Sequence, residues 1–282
     1  MNSGYNRAMP LPVIQGSHAL SSSDLIRLFH QTELDWSRHL GEEAQLDVGT
    51  AIVNSQLPRV WDANRVLDAA LPDGVSPPQA FDIAREHFAQ CNSECRNWLM
   101  NPSAEPARTA PLAEHLLSRG FTAHDSDIMY LRHPPATIRE TGGLTIIPAR
   151  ASFRHMRQLA DEASKRRQEP TLADAVMMHL DDPHWDALIA LKEGQAVATI
   201  GVLAVGEIGR IEDVFVTEPL RRQGIGKTMM SRALEICARA VFKHVFISPA
   251  SDNVPAVGLY RACGFETIGL FTVYVAPDAP RE

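Results

Sequence analysis

A strand pattern that leads through a glycine-rich turn into a helix pattern constrains this fold more than any other feature of the sequence. Residues 209–217, "GRIEDVFVT", alternate as a half-buried strand does, and residues 220–228, "LRRQGIGKT", follow with two closely spaced glycines. Residues 224–241, "GIGKTMMSRALEICARAV", then carry apolar side chains along one helical face. A strand that feeds a helix in this way predicts a mixed α/β fold, with helices packed on a sheet.

The same order of elements ends both halves of the chain. A break in composition at 132–143, "RHPPATIRETGG", has the prolines and glycines of a linker. The first half ends "LLSRGFTAHDSDIMYL" and the second "LYRACGFETIGLFTVYV", each with Gly-Phe after a helix pattern. Tyr130 and Tyr274 each stand ten positions after that glycine. An internal duplication is therefore predicted, with domains at 1–138 and 143–282.

The turn at 220–228 is suited to binding an anion. Gly224 and Gly226 leave no Cβ between backbone and ligand, and the first N–H groups of the following helix are unpaired at its positive end. Arg221 and Arg222 add cations that match phosphate oxygens. An ordinary strand–helix turn, with glycines for geometry and solvated arginines, is the alternative that this stretch leaves open.

A nucleotide P-loop also ends in Gly-Lys-Thr, so an ATP-dependent phosphotransferase is one function to consider. The P-loop pattern requires a glycine five positions before the glycine of Gly-Lys-Thr, and Arg221 occupies that position. Without that glycine the loop cannot wrap around the phosphates. The sequence therefore disfavours a P-loop and favours a shorter cradle for a diphosphate.

Two motifs together resemble the GNAT superfamily of N-acetyltransferases. Residues 221–226, "RRQGIG", match its [RQ]-x-x-G-x-[GA] pattern, and residues 251–266, "SDNVPAVGLYRACGFE", match its second conserved stretch. The resemblance covers 144 to about 276. It implies an α/β (α+β) fold of GNAT type, with a mixed, mostly antiparallel twisted sheet, flanking helices and two such domains in tandem.

The resemblance implies acetyl-CoA as co-substrate, held between parallel strands at 211–217 and 243–248. The pantetheine arm is expected along the backbone of 214–216, and the pyrophosphate on the N–H groups of 222–227. Lys227 and Thr228 are expected to contribute backbone N–H groups and solvated side chains, and Asn253 either contacts pantetheine or caps a helix. The implied cofactor-binding residues are Val214, Phe215, Val216, Arg221, Arg222, Gln223, Gly224, Ile225, Gly226, Lys227, Asn253 and Tyr260.

Two side chains are candidates for acid–base catalysis. Tyr260 stands in the LY-x-x-x-G register where the superfamily places the acid that protonates the leaving thiolate. A core tyrosine is the alternative. Glu212 and Asp213 lie on the strand beside the thioester, and strand alternation sends them to opposite faces. Glu212 is the favoured base, although a water relay can replace a single base in this superfamily.

The first half departs from the GNAT pattern. Its helix follows "LPDGVSPPQAF", which has neither G-x-G nor paired arginines, and Leu116 stands where the second half has Tyr260. Domain 1–138 is therefore predicted to be a degenerate GNAT-like domain without a cofactor site. Its expected roles are to pack against the catalytic domain and to form a wall of the substrate cleft.

The predicted acceptor is a primary amine of a small molecule or peptide. The net charge of −7 argues against nucleic-acid binding, and no apolar run reaches the ~20 residues of a membrane span. All 4 cysteines are expected to be reduced in the cytoplasm. No metal site is predicted, since the spacing of His87, Cys91 and Cys95 is not typical of zinc.

Residues 164–186 are expected to cover the acceptor side. Their acidic end mildly favours a cationic acceptor, although a solvated loop is the preferred interpretation of these carboxylates. The chain is expected to be a monomer with an internal pseudo-dimer, or a homodimer. A non-catalytic acyl-CoA sensor on the same fold is the main alternative to an enzyme. Only Tyr260 argues against it.

Overall fold

The computed structural model describes residues 20–134, 138, 141–167 and 171–277 of the 282-residue chain. The predicted N-terminal arm, and part of the predicted linker at 132–143, lie outside the described residues. None of the described helices is long and apolar enough to cross a membrane.

The described residues form helices and strands in an order that repeats. The helices are α1 Ser22–Arg38, α2 Pro77–Gln90, α3 Pro106–Ser118, α4 Phe153–Arg167, α5 Leu172–His179, α6 Ile225–Arg239 and α7 Val254–Ala262. The strands are β1 Glu42–Leu46, β2 Gly49–Val53, β3 Arg65–Ala69, β4 Asn97–Met100, β5 Thr122–Leu131, β6 Leu144–Pro148, β7 Trp185–Lys192, β8 Gln195–Val205, β9 Ile208–Val216, β10 His244–Ile247 and β11 Phe265–Val275. Short 3-10 turns cover Trp61–Ala63, Ala149–Ala151 and Glu218–Leu220.

All strands belong to one sheet of mostly antiparallel pairs. The strand order is β1-β2-β3-β4-β11-β5-β10-β9-β8-β7-β6. Only β3 with β4 and β9 with β10 run parallel, and each of these pairs is joined through a helix. This is the predicted mixed, mostly antiparallel sheet with flanking helices.

The two halves exchange their last strands at the centre of this sheet. β5 ends the first half but pairs with β10 of the second half, through Tyr130 opposite Phe246 and Met129 opposite Ile247. β11 ends the second half but pairs with β4 of the first half. β5 and β11 also pair with each other along almost their whole length. Each half therefore completes the sheet of the other.

The halves repeat the same order: hairpin, strand, helix, parallel strand, helix, strand. β3 reads Arg65-Val-Leu-Asp68-Ala and β9 reads Arg210-Ile-Glu-Asp213-Val. Asp68 and Asp213 both have φ of 53°, and the pairing register shifts at each of them. Two strands that carry the same buried arginine and the same bulge support the predicted duplication.

Helices cover both faces of the sheet. Met229 and Leu234 of α6, with Tyr260 of α7, pack on the face that also receives Ile211. Phe29 of α1 packs on the opposite face, where the guanidinium of Arg210 lies over its ring at 4.9 Å. Ser21 and Asp24 fix the start of α1 through a capping box. α1, from the first half, contacts Arg210 near the start of β9 in the second half.

Candidate active site

The sheet opens between the parallel strands β9 and β10. Their pairing runs from Ile208 opposite His244 to Ile211 opposite Ile247 and ends there. β9 continues to Val216, paired with β8 alone. The residues after β10 pair instead with β5: the N–H of Asp127 donates to the Pro249 carbonyl at 2.9 Å, and the N–H of Ser251 donates to the Asp125 carbonyl at 3.0 Å. The structure thus has a V-shaped opening at the place where the sequence predicts the cofactor.

Main-chain groups of β9 face this opening. The N–H of Thr217 donates to the carbonyl of Val197 on β8 at 2.9 Å. Alternation along the strand then directs the main chain of Phe215 toward β8 and that of Val214 and Val216 toward the opening. The Val216 carbonyl accepts a hydrogen bond from Nε of Arg221 at 3.0 Å. Of the three predicted backbone partners, Val214 and Val216 therefore direct their main-chain polar groups away from β8.

The glycine turn forms the start of α6 beside the end of β9. Gly224 is the N-cap in the left-handed region, with φ of 85°, and Arg222 also has a positive φ of 63°. Only glycine accepts such a conformation at little cost, and a Cβ on Gly224 would lie 2.6 Å from Oγ1 of Thr141. No side chain caps this helix start among the described residues. The N–H groups of Ile225, Gly226 and Lys227 are left available to an anion.

The flanking side chains of the turn differ in exposure. Arg222, Gln223 and Lys227 are exposed, in accord with solvated side chains. Thr228 is not: it is buried, and its Oγ1 accepts the N–H of Thr141 at 2.8 Å. The prediction of a solvated Thr228 is therefore wrong, because the segment that leads into β6 packs over the first turn of α6.

Gly226 lies on the inner side of the turn. A Cβ there would be 3.2 Å from Cδ2 of Leu259 on α7 and 3.9 Å from Cγ2 of Val216. Asn253 is the N-cap of α7, and its side chain accepts the N–H of Ala256 at 3.4 Å. Of the two roles predicted for Asn253, the helix cap is the one that the structure contains.

Tyr260 on α7 is 5% exposed and packs edge-on against Phe265, with ring centroids 6.5 Å apart. Burial raises the pKa of its phenol, and the negative charges of Glu212 and Cys263 raise it further. A phenol with a raised pKa stays protonated at neutral pH, so it can give up a proton but is not present as a phenolate base.

Glu212 lies in a buried charge network. Nε of Arg210 donates to Oε1 of Glu212 at 2.6 Å, and Nη2 of Arg210 lies 2.6 Å from Glu33 on α1. Burial raises the pKa of Glu212 to about 7; Arg210 opposes this shift, while Glu33 and Asp213 add to it. A carboxylate poised near neutral pH can take up and release a proton during turnover.

Asp213 does not follow the alternation expected for a regular strand. Its φ of 53° and the register shift opposite 199–201 place it in a β-bulge. The argument that Glu212 and Asp213 must face opposite sides therefore fails at this position. The bulge also explains the opening, since it bends β9 away from β10 beyond Ile211.

The equivalent place in the first half is closed. β4 continues to pair with β3 beyond the bulge at Asp68, with Met100 opposite Ala69, and the N–H of Asn101 donates to the Ala69 carbonyl at 3.0 Å. Leu67 stands where β9 has Glu212. The main chain that would receive a pantetheine arm is occupied, in agreement with the missing cofactor motif.

The acidic segment at 164–186 has local partners for its side chains, although 168–170 lie outside the described residues. Asp174 pairs with Arg157 at 2.8 Å, and Oδ1 of Asp182 accepts the N–H of His184 at 2.8 Å. These carboxylates give little support to a cationic acceptor. Among the described residues, no group of His, Cys, Asp or Glu side chains could hold a metal ion.

Sequence reasoning missed the residues that surround Glu212. Glu33 and Arg65 come from α1 and β3 of the first half, and nothing local predicts that they meet Arg210. A signal was present in the sequence: Arg65 and Arg210 each interrupt an apolar strand three positions before an aspartate. A buried arginine requires a carboxylate partner, so this repeat pointed to a charge network.

Known proteins resemble the chain in sequence and in fold. Residues 152–265 match the family model "Acetyltransferase (GNAT) family". A "Putative [ribosomal protein bS18]-alanine N-acetyltransferase" of Bacillus subtilis (strain 168) is 25% identical over 91 residues, 32% of this chain and 60% of that protein's length.

Two solved structures share the fold over most of the chain. A GCN5-related N-acetyltransferase from Kribbella flavida aligns over 92% of this chain and 98% of its own, with 16% identity and a TM-score of 0.61. A tandem GNAT protein from the clavulanic acid biosynthesis pathway aligns over 72% and 69%, with 16% identity and a TM-score of 0.50. Residues 152–265, in the second half of the chain, thus match the GNAT acetyltransferase family.

Proposed function

We propose that this protein transfers an acetyl group from acetyl-CoA to a primary amine of a small molecule or peptide. The observation that carries this proposal is the main chain of β9 at Val214 and Val216, which has no strand partner on the side of the opening and lies next to the uncapped start of α6 at Gly224. A pantetheine arm pairs with such a strand as an added strand would. A diphosphate needs the adjacent N–H groups.

The residues of the opening supply main-chain donors and positive charge for acetyl-CoA. The N–H groups of 222–227 would hold the diphosphate, and the side chains of Arg221 and Arg222 would add positive charge. Arg221 must first release the Val216 carbonyl, which then becomes an acceptor for an amide of the pantetheine arm. Acetyl-CoA supplies an activated acyl thioester. Donors and acceptors of this chain bind and orient it.

Glu212 and Tyr260 supply the proton transfers. Glu212, with a pKa raised to about 7, accepts the proton that the acceptor ammonium must lose before its nitrogen attacks, either directly or through one water. The Tyr260 hydroxyl donates a proton to the sulfur that leaves. Burial keeps the pKa of this phenol high, so it remains protonated throughout the working pH range.

The catalytic unit is proposed to be 143–282, with 1–138 as a degenerate partner domain. The closed β3–β4 pair and Leu67 in place of Glu212 support this division of roles. The exchanged strand β5 makes the first half part of the catalytic sheet, because β5 lies between β10 and β11. Through β5, the first half therefore gives structural support to one wall of the opening.

The direct test is consumption of acetyl-CoA with a panel of acceptors. The panel contains polyamines, aminoglycosides, amino acids and a peptide with N-terminal alanine, since the Bacillus subtilis relative is named for that substrate. Release of free CoA with one acceptor supports the enzyme. Tight acetyl-CoA binding without turnover on any acceptor favours an acyl-CoA sensor, and binding of ATP with Mg²⁺ but not CoA favours a phosphotransferase.

A further inference from the structure

We propose that Glu33, on α1 in the first half, is a positioning residue for the candidate base Glu212 in the second half. This inference rests on the proposed role of Glu212. It gives the first half a part in the chemistry that neither its missing cofactor motif nor its closed strand pair would suggest.

One guanidinium joins the two carboxylates. Nη2 of Arg210 lies 2.6 Å from Oε1 of Glu33, and Nε of the same Arg210 lies 2.6 Å from Oε1 of Glu212. The side chains of Arg210 and Glu33 are 7% and 3% exposed, whereas that of Glu212 is 21% exposed. Glu212 is thus the one carboxylate of the pair that reaches solvent, and Glu33 is buried behind it.

The position of Arg210 is fixed from the α1 side. Nη1 of Arg210 donates to Oγ1 of Thr32 at 3.1 Å, and its guanidinium stacks over the ring of Phe29. Glu33 is held in turn by Arg65 of β3, whose Nη1 lies 2.9 Å away. Arg210 thus has three contacts with α1 besides its hydrogen bond to Glu212. The positive charge of Arg210 is therefore divided between Glu33 and Glu212.

This sharing sets how strongly Glu212 holds its proton. An arginine that served Glu212 alone would keep it ionised and weakly basic. Glu33 competes for the same positive charge and also repels the Glu212 carboxylate. The charged and titratable groups of this network are Arg210 and Asp213 from β9, Glu33 and His30 from α1, Arg65 from β3, Asp62 from the turn before β3, and Tyr260 from α7.

The sign of the effect follows from these neighbours. Replacing Glu33 by Gln removes a negative charge and leaves Arg210 to Glu212, so the midpoint of Glu212 should fall by about 1 pH unit. Replacing Arg210 by Lys puts a single ammonium where the guanidinium contacts both carboxylates. Because Glu212 then loses its close positive partner, its midpoint should rise. Opposite displacements from the two ends of one ion pair are not produced by a general loss of stability.

The experiment is a ¹³C NMR titration of the Glu212 side-chain carboxyl in the full-length chain, assigned by comparison with Glu212→Gln. It requires no acceptor, so it can fail independently of the proposed function. We expect Glu33→Gln to move the midpoint down and Arg210→Lys to move it up. Asp35→Asn is the matched control, since it removes one charge from the same helix at an exposed pair with Arg38.

An unchanged Glu212 midpoint in Glu33→Gln would overturn the inference. Should that variant fail to fold, Glu33→Asp keeps the buried charge but draws it back from Arg210, and a smaller displacement in the same direction is expected. An unchanged Glu212 midpoint in Glu33→Asp would likewise overturn the inference. Where an acceptor is known, the rising limb of kcat/KM against pH must move with the NMR midpoint, while a purely structural Glu33 would lower kcat/KM at every pH alike.

Discussion

Replacing Tyr260 by Phe removes one oxygen from the side chain and leaves the packing intact. The ring stays in place against Phe265, because the side chain is almost fully buried and the substitution keeps its shape. Loss of a buried hydroxyl costs about 1 kcal/mol of stability or less, which is within a few degrees of Tm. The variant should therefore fold normally and bind CoA as tightly as the parent.

The loss in rate should be much larger than the loss in stability. A positioned proton donor contributes about 10²–10⁴ in rate, or roughly 3–5 kcal/mol of barrier. We expect kcat to fall by that factor when CoA release is followed with a thiol reagent, with the Kd for CoA from calorimetry unchanged. Tyr130→Phe is the matched control: it loses a hydrogen bond to Nδ1 of His244 at 3.2 Å, away from the opening.

The outcome separates an enzyme from a binding protein. If Tyr260→Phe kept the parent kcat, the phenol would not be the proton donor, and Tyr260 would serve only as a packed core residue. If the Kd for CoA rose while kcat stayed constant, Tyr260 would serve binding alone. Only a fall in kcat at constant affinity agrees with the proposed chemistry.

Three further predictions address the base, the cradle and the exchanged strand. In the parent, kcat/KM should rise with pH through about 7, because Glu212 acts when deprotonated. Glu212→Gln should lower kcat/KM at least ~10²-fold and abolish this rise with pH. A variant that kept the same rise would show that another group is the base. Gly224→Ala should lose about 1–2 kcal/mol by chemical denaturation and bind CoA more weakly, whereas Gly142→Ala, where a Cβ meets nothing within 4 Å, should do neither. A fragment of 143–282 lacks β5, the shared neighbour of β10 and β11, so it should aggregate on expression; a soluble, active fragment would show that β5 is dispensable.

The local patterns of the sequence predicted the turn at Gly224, the helix after it and the mixed sheet. These features depend on neighbours in the chain: glycine for a positive φ, periodic apolar residues for a helix face. The match of the two halves was also visible, since "Gly-Phe" and a tyrosine recur at the same spacing.

The exchange of β5 and β11 could not be predicted in this way. Both strands have the same pattern whether each stays in its own half or crosses over, because the pairing partner is chosen by distant chain segments. The bulge at Asp213 and the meeting of Glu33 with Arg210 are non-local for the same reason. The residues that tune Glu212 therefore emerged only from the three-dimensional arrangement, although Arg65 and Arg210 marked the place.

A crystal structure of the complex with CoA tests the central claim most directly. We expect the diphosphate within hydrogen-bond distance of the N–H groups of 222–227, the pantetheine arm paired with Val214 and Val216, and Arg221 moved off the Val216 carbonyl. Coenzyme bound elsewhere, with Arg221 still donating to Val216 and no ligand between β9 and β10, would contradict the account.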